Sequence, residues 1–396
     1  MEIERDQPSS GVPGAVLLWA LLPLACGSIA KNDVDIPPEV PAEVADAAPS
    51  TDGPSPDDTW ISPVDAAADA TGPISFPAWP SDSTITLASR QDAFGANMSG
   101  LGYEPASATA PAILWAIQNE PSKLYRLVLD GTAFVASTGD GWTTGRSLRY
   151  VNGTGSPDGE GVTRTEWGTA EIYIVAERDN DAKDTSRQSI LRYDLGGSKG
   201  VVNATHEWNL TSDLPPATVN HGLEGIAWVP DNYLVQKGFF DDNKQTTYDP
   251  AVYPNHGTGI FLVGVDDSGM IYGYVLDHTA NAFARLTSFP SGQAHTMDLA
   301  FDRDIGTLWS LCGNDCNNHM TLLDIDTEEN SQSRGHFILR ATVPPPKALK
   351  DLNNEGISIV PESECSNSRK ALFWSDDAET GGYAIRKGTI ACGRLY

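Results

Sequence analysis

The chain has 396 residues and a formal net charge of −27, with 53 acidic against 26 basic side chains. This charge argues against nucleic acid or an anionic membrane surface as a direct partner, because both would repel the protein. The length exceeds the common size of one compact core, yet it suits a domain that grows by radial repetition of similar units.

An apolar run from Val16 to Ala25 is too short to span a bilayer and is followed by Cys26 and Gly27. This pattern is typical of a bacterial lipoprotein cleavage site, so we predict an export signal over 1–26 with a lipid on Cys26. A simple cleaved signal is the alternative. Both predict a protein of the bacterial cell envelope or the medium, and a lipidated Cys26 predicts an outer-membrane lipoprotein whose only membrane contact is its N-terminus.

Residues 27–82 form an acidic segment rich in Pro and Ala. No basic residue occurs between Lys31 and Arg90, while eleven carboxylates lie between Asp33 and Asp82. Such a composition cannot bury enough apolar surface to offset its ordering entropy. We therefore predict a disordered, charge-extended linker over 27–82.

A short phrase recurs five times in the rest of the chain: an acid or hydroxyl, in most copies a glycine, then an apolar run. The copies are Ser99-Gly-Leu-Gly-Tyr, Glu160-Gly-Val-Thr, Glu224-Gly-Ile-Ala-Trp, Asp298-Leu-Ala-Phe and Glu355-Gly-Ile-Ser-Ile. Their spacings of 61, 64, 74 and 57 residues are long enough for one four-stranded blade per period.

Each period also contains apolar, β-rich runs separated by turns, and helical periodicity is essentially absent. The pattern predicts an all-β domain over 83–396, a β-propeller of five four-stranded blades. Because the last copy has too few residues for a full period, we expect the strand Ser83–Ser89 to complete it. Six blades remain the alternative, if the long third period holds an extra one.

The phrase also predicts a cation site. In a propeller the first strand of each blade lines the central channel, and the second returns antiparallel, so the start of the first and the end of the second reach one face. The predicted second-strand ends are Asn119-Glu120, Glu177 to Asp179, Asp241-Asp242, Asn314-Asp315 and Asp376-Asp377. Oxygen ligands crowded on one rim would repel each other unless a hard cation joined them, and Ca²⁺ fits best. The alternative is structural, with the acids accepting backbone N–H bonds between blades.

The phrases around Glu224, Asp298 and Glu355 resemble the blades of secreted phytase-like or esterase-like β-propellers. They are also similar to five-bladed calcium-dependent apyrases, in which Ser-Gly-Leu and Glu residues at inner-strand starts hold a central calcium. The resemblance implies Ca²⁺ at Ser99, Glu160, Glu224, Asp298 and Glu355. It also implies hydrolysis of a phosphate ester or another ester.

Candidate catalytic groups lie near the same predicted rim. His221 and His295 each precede a channel-facing acid by three residues, so either could act as a general base on water. The cations that could neutralise a developing charge are Arg178, Arg164 and Lys237, with Arg178 best placed. The structural alternatives are hydrogen bonds to loop carbonyls for the histidines and a surface ion pair for Arg178.

A non-catalytic role is the competing hypothesis. In it, a monomeric cell-surface propeller with a structural Ca²⁺ binds a glycan or a protein through its rim loops, including the insertion Phe239–Tyr253. The aromatic residues that could form such a rim are Trp142, Trp167, Trp228 and Phe240. A pocket that joins the metal, Arg178 and a histidine would favour an enzyme for a small ester, whereas a sealed metal under a flat aromatic rim would favour binding.

Four cysteines remain besides Cys26, and they permit three pairings in an oxidising compartment. We favour Cys312 with Cys316, closing a tight turn between two strands, and Cys365 with Cys392, stapling the last blade. A zinc site is the alternative, but neither a CxxC pair nor a suitably spaced histidine supports it.

Overall fold

The computed structural model describes residues 78–79, 85–197, 199–345, 349 and 352–396. These residues belong to one compact unit, Thr71–Tyr396. The predicted signal over 1–26, Cys26 and the predicted linker over 27–82, apart from Ala78 and Trp79, lie outside them. Within the described ranges, none of the helices has the length and hydropathy that a membrane span requires.

The described residues form an all-β propeller of five blades, which confirms the predicted fold. Strand β1 (Thr86–Leu87) is the first in the chain but pairs in the last blade. Blade 1 contains β2 (Met98–Glu104), β3 (Ile113–Gln118), β4 (Lys123–Asp130), β5 (Ala133–Ala136) and β6 (Arg146–Arg149). Blade 2 contains β7 (Pro157–Thr163), β8 (Glu171–Asp179), β9 (Ser186–Asp194) and β10 (Val201–Asn209).

The remaining three blades follow the same order from the channel outwards. Blade 3 contains β11 (Leu223–Pro230), β14 (Gly259–Val265), β15 (Met270–Leu276) and β16 (Phe283–Pro290). Blade 4 contains β17 (Asp298–Asp302), β18 (Thr307–Leu311), β19 (Met320–Ile325) and β20 (Phe337–Val343). Blade 5 contains β21 (Asn354–Ile359), β22 (Arg369–Asp376), β23 (Ile385–Ala391) and β1.

Strand pairing and apolar packing both close the ring between the last blade and the first. Strand β1 pairs antiparallel with β23, with Thr86 opposite Lys387, so the N-terminal strand completes the last blade as predicted. Buried apolar clusters fill all five gaps between neighbouring blades, including the gap between blades 5 and 1, where Phe373 and Leu114 meet in one cluster. Middle strands such as β3 and β14 are buried along their whole length, which explains their continuous apolar sequence.

An insertion explains the long third period. Between β11 and β14 the chain forms helix α1 (Asp231–Lys237), the small hairpin of β12 (Phe240–Asp241) and β13 (Thr246–Thr247), and a 3₁₀ turn at Pro250–Val252. Further 3₁₀ turns lie at Asp266–Ser268, Asn314–Cys316, Glu362–Glu364 and Thr380–Gly382. The six-blade alternative is therefore wrong for the described chain, because the extra residues of this period decorate blade 3.

The insertion also corrects one predicted strand end. The second strand of blade 3 is β14, not a run ending at Asp241-Asp242, so its end brings Asp266 to the channel face instead. Asp241 lies in the insertion, where it accepts a hydrogen bond of 2.5 Å from the hydroxyl of Tyr253. The sequence pattern failed here because a helix and a hairpin separate the two strands.

Both favoured disulfides are present. Cys312 and Cys316 close the turn between β18 and β19, with their Cα atoms 5.6 Å apart. Cys365 precedes β22 and Cys392 follows β23, and their bond staples the edge of the last blade, with the Cα atoms 6.1 Å apart. Closed loops of this kind stabilise a protein by restricting its unfolded chain.

Candidate functional site

Four of the five recurring phrases form β-bulges at the start of the inner strand. The register shifts between Met98 and Leu101, around Glu160, between Leu223 and Ile226, and between Asn354 and Ile357. A bulge adds an unpaired residue and re-aims its side chain. The fourth phrase differs, because Asp298 and Leu299 pair with β18 in regular register. Asp298 therefore projects differently from the other four residues.

The glycine of the phrase is required by close contact between blades. A Cβ atom on Gly161 would lie 2.7 Å from the carbonyl oxygen of Glu224 in the next blade. A Cβ on Gly100 would meet the carbonyl of Glu160, and one on Gly356 the carbonyl of Ser99, both closer than the 3.0 Å that real Cβ atoms keep. Each glycine thus lets the backbone at the start of one inner strand approach the backbone at the start of the next inner strand.

Asp298 lies on the channel axis as a link between blades. Its Oδ1 accepts the N–H of Leu299 at 2.8 Å, and its Oδ2 accepts the N–H of Ile357 at 2.8 Å. The backbone N–H groups of Leu101 and Ile226 also bond to it. Burial raises the pKa of Asp298 well above its usual range, and these four N–H groups oppose that shift. This is the inter-blade role that the sequence left open.

The other acids surround one opening of the channel, which we call the acidic mouth. Its cavity of about 200 Å³ is lined by Asn119, Glu160, Glu177, Asn220, His221, Glu224, Asp266, His295, Met297, Gly313, Asn314, Asp315, Asn353 and Glu355. At its edge, Asp158, Glu160 and Glu177 are all buried and offer carboxylate oxygens within 4.8 Å of one another. The structure therefore brings Glu160, Glu224 and Glu355 together, with Ser99 beside Glu160.

These carboxylates are held in an environment that disfavours their charge. Burial, followed by repulsion from neighbouring acids, raises the pKa of Glu160, Glu224 and Glu355 well above the usual range. Burial raises the pKa of Glu177 to about 7, although the N–H of Gly222 donates to its Oε2 at 3.0 Å. Such a cluster stays ionised near neutral pH only if a positive charge joins it.

Hydrogen bonds satisfy some of these carboxylates and not others. The Asn119 amide donates to both oxygens of Glu160, at 3.1 and 3.3 Å. The Asn353 amide donates to Glu355 at 2.9 Å. Among the described residues none donates a hydrogen bond to the Glu224 carboxylate, although Glu224 is only 5% exposed. Hard oxygen donors with spare lone pairs in a buried acidic site fit Ca²⁺.

Two histidines flank the acids and share one carboxylate. His221 bonds through Nδ1 to Oδ2 of Asp266 at 2.5 Å, and His295 bonds through Nδ1 to Oδ1 of the same residue at 2.7 Å. Within the described ranges, neither Nε2 atom has a partner. The His221 and His295 side chains are 47% and 32% exposed, so both rings reach solvent at the acidic mouth.

The predicted cations occupy three different environments. The Nε atom of Arg178 lies 2.6 Å from Oδ2 of Asp158 and 3.7 Å from Oε1 of Glu177, so this side chain pairs with the acids at the edge of the mouth. Lys237 ends α1, which follows the far end of β11, and its Nζ lies 5.8 Å from the ring of Tyr233. Arg164 follows the far end of β7 and pairs with Glu104. Lys237 and Arg164 therefore lie at the opposite end of the channel from these acids.

Sequence reasoning missed two acids of the mouth. Asp158 lies two residues before Glu160, but the strand register shifts between them, so simple alternation along the strand does not identify it. Asp266 follows the second strand of blade 3, as the other strand-end residues do in their blades. The insertion concealed that equivalence.

Comparisons with known proteins do not identify a family for this chain. No family model and no curated protein matches the chain. The chain is similar to the crystal structure of a putative oxidoreductase (glucose dehydrogenase) from Thermus thermophilus, with 13% identity over 78% of this chain and 100% of that one, at a TM-score of 0.38.

Two further solved structures are similar at the same level. One is a PQQ-bound aldose sugar dehydrogenase from Streptomyces coelicolor, with 9% identity, 78% of this chain, 98% of that one and a TM-score of 0.37. The other is a chain of a mitotic checkpoint complex, with 11% identity, 83% and 97% coverage and a TM-score of 0.35. Likenesses this distant carry no argument about fold or chemistry, and the resemblance to phytase-like, esterase-like or apyrase propellers stays a prediction.

Proposed function

We propose that the acidic mouth binds Ca²⁺ and that the protein hydrolyses a small ester there. The observation that carries this proposal is the set of buried carboxylates around one cavity, with Asp158, Glu160 and Glu177 within 4.8 Å of one another. Arg178 is the one cation paired with that group in the described part of the chain. A divalent cation would offset the remaining repulsion.

The residues present fit such an ion. Glu160, Glu224 and Glu355 would hold it from three blades, with the hydroxyl of Ser99 beside Glu160 and the acids Asp158 and Glu177 nearby. Asp298 would not ligate the ion, since both its oxygens already accept backbone N–H groups. When bound, Ca²⁺ would polarise an ester oxygen and gather the negative charge that develops on it.

The histidines would supply the base. Each Nδ1 faces a carboxylate oxygen of Asp266, which favours the tautomer with the proton on Nδ1 and leaves Nε2 free to accept one. The hydrogen bond to Asp266 raises the pKa of His221, which strengthens it as a base. His221 or His295 would take the proton from an attacking water at the mouth, and Asp266 would hold the ring in place.

The charge of the mouth favours a substrate that carries little negative charge. Arg178 is already paired with Asp158 and Glu177, so it is not free to neutralise a second or third phosphate charge. We therefore favour a carboxylic ester, or a phosphate ester with one phosphoryl group, over a polyphosphate.

We further propose that the protein acts outside the cytoplasm, held to the bacterial envelope by a lipid on Cys26. The two disulfides support an oxidising compartment. Mass spectrometry of the mature protein from a membrane fraction tests this. A diacylated N-terminal Cys26 is expected, and a mature protein that begins elsewhere without lipid would contradict it.

The test of the activity separates metal binding from turnover. Ca²⁺ is titrated into chelator-treated protein, and hydrolysis of 4-nitrophenyl acetate and 4-nitrophenyl phosphate is then measured with and without Ca²⁺. Glu224→Gln is expected to weaken Ca²⁺ binding and turnover at least tenfold. Glu207→Gln, which alters an ion pair with Arg187 outside the mouth, is the matched control and should change neither.

Two outcomes would overturn the proposal in different ways. Absence of Ca²⁺ binding by the wild-type protein would remove the metal site. Ca²⁺ binding without hydrolysis of either ester class would instead support the non-catalytic alternative, a surface propeller with a structural ion. His295→Ala should lower kcat while leaving Ca²⁺ affinity unchanged if the histidines act as bases.

A further inference from the structure

The inner strands end at a second opening of the channel, which we call the tryptophan mouth. Three indole rings, Trp115, Trp167 and Trp228, line it together with Arg164 and Arg303. Trp115 and Trp228 are buried, whereas Trp167 is 44% exposed and reaches solvent. The cavity has a volume of about 80 Å³.

Arg303 is the unusual residue of this opening. Its guanidinium carbon lies 4.6 Å from the ring centroid of Trp228 and 5.3 Å from that of Trp167. Its Nη1 donates to the carbonyl of Thr165 at 2.8 Å, and its Nη2 donates to the carbonyl of Arg164. A guanidinium has five N–H donors, so these two bonds leave three without an acceptor among the described residues.

Arg303 also lacks a carboxylate partner. Burial, and then the charge of Arg164, lower its pKa to about 10. In the described part of the chain it forms no ion pair, which is notable in a protein with a net charge of −27. Buried charges are normally paired, because an unpaired one loses its hydration without compensation.

Among the described residues, none of the acids near Arg303 accepts a hydrogen bond from it. Glu104 bonds to Arg164 and accepts the indole N–H of Trp115 at 3.0 Å. Asp302 pairs with the buried Lys370. Oδ2 of Asp304 accepts the N–H of Glu362 at 2.7 Å. Asp304 and Glu166 attract the Arg303 charge without forming a hydrogen bond with it, so its remaining N–H groups stay free among the described residues.

We propose that the tryptophan mouth binds a small carboxylate with an aromatic body. The carboxylate would pair with the free N–H groups of Arg303, and the body would stack on the exposed ring of Trp167. A water molecule occupies about 30 Å³ of liquid, so a cavity of about 80 Å³ has room for a carboxylate group but not for an aromatic ring as well. The aromatic body would therefore lie at the opening. A monoanion fits this opening better than a phosphate dianion, because Asp304 and Glu166 already add negative charge near Arg303. The site is independent of the function proposed for the acidic mouth.

Benzoate is the probe that tests this site. It is titrated into the full chain by calorimetry, with tryptophan fluorescence as a second readout, and benzamide serves as the neutral analogue. We expect saturable binding of benzoate with one site per chain. Benzamide should bind at least tenfold more weakly, because it lacks the charge that Arg303 would meet.

Variants locate the binding. Arg303→Gln should weaken benzoate at least tenfold, whereas Arg285→Gln, an arginine over the ring of Tyr272 in an ion pair with Asp213, should leave it unchanged. If Arg303→Gln does not fold, Trp167→Ala gives the same test, because that side chain is partly exposed. The proposal is overturned if benzoate shows no saturable binding up to about 10 mM. It is also overturned if benzamide binds equally well, or if a folded variant retains the wild-type affinity.

Discussion

The acidic mouth and the tryptophan mouth are the two ends of the same five inner strands, yet their charges are handled differently. At the acidic mouth Glu160, Glu224 and Glu355 face a shared cavity, and their pKa values are raised by burial and mutual repulsion. Beside the tryptophan mouth, the buried charge of Lys370 is matched by Asp302 and Glu362. The Lys370 pairs need no further ion, whereas the clustered acids of the acidic mouth require a cation from outside the chain to stay ionised.

The two ends also differ in how the blades approach each other. At the acidic mouth the glycines of the bulges let backbone meet backbone, and a Cβ on Gly161 would lie 2.7 Å from the carbonyl of Glu224. Towards the tryptophan mouth large rings fill the space, as where Trp228 packs under Arg303. Close backbone packing at the acidic mouth brings polar groups together around the channel axis. Ring packing at the tryptophan mouth covers an apolar surface.

The largest predicted effect is a loss of stability when the ion pairs of Lys370 are removed. Lys370→Met should lower the free energy of unfolding by about 3–5 kcal/mol, because it leaves the buried Asp302 without its partner and also removes the ion pair with the half-buried Glu362. Urea unfolding followed by fluorescence measures it. Glu224→Gln in chelator is the contrasting variant, and it should not destabilise the protein, since it removes repulsion at the acidic mouth. Equal losses in both variants would contradict the comparison.

The second prediction tests the close approach of blades. Gly356→Ala should cost about 2–3 kcal/mol, because its Cβ would overlap the carbonyl of Ser99. Gly102→Ala, whose Cβ would lie 3.2 Å from the carbonyl of Val162, should cost less. Gly200→Ala has open space around its Cβ and is the control, expected to stay within about 0.5 kcal/mol. A loss for Gly356→Ala no larger than for the control would show that the contact can relax.

The third prediction concerns pH. The pKa of Glu177 is raised by burial to about 7 from its usual 4.5, so the metal-free folded state keeps a proton that the unfolded state has lost between these values. Stability in chelator should therefore fall as pH rises from about 4.5 to 7, lowering Tm by several degrees. Saturating Ca²⁺ should remove this decline, and an identical decline with and without Ca²⁺ would count against the metal site.

The smallest predicted effect is a change in the pKa of one side chain, His221. Asp266→Asn should lower the pKa of His221, because the hydrogen bond that raises it is lost. Histidine resonances followed by NMR over a pH series measure this shift. His256, whose pKa is raised by Asp231 in the insertion, is the internal control and should not move. An unchanged His221 would show that Asp266 does not set its basicity.

Several features followed from the sequence because they depend on local spacing. The phrase repeated at intervals of about one blade predicted the propeller, and the apolar runs predicted its strands. The missing outer strand of the last period predicted ring closure by the segment that contains Thr86 and Leu87. The pairings Cys312–Cys316 and Cys365–Cys392 followed from their positions at the ends of predicted strands.

Other features depended on which residues the tertiary structure brings together. Alternation along one strand cannot tell that a bulge re-aims Glu160 while the regular register of Asp298 directs its carboxylate to backbone N–H groups of four blades. Nor could spacing place Lys237, because the direction of β11 carries α1 to the opposite end of the channel.

The sequence by itself determined the five copies of the phrase and the all-β character of the blades, with six blades left open, because strand periodicity and turn spacing are local. Only the tertiary structure decided that Asp158 and Asp266 join the acidic mouth, and that Arg303 meets Trp167 and Trp228 from other blades. Those contacts link residues far apart in the chain, and their distances are set by the closure of the five-bladed ring.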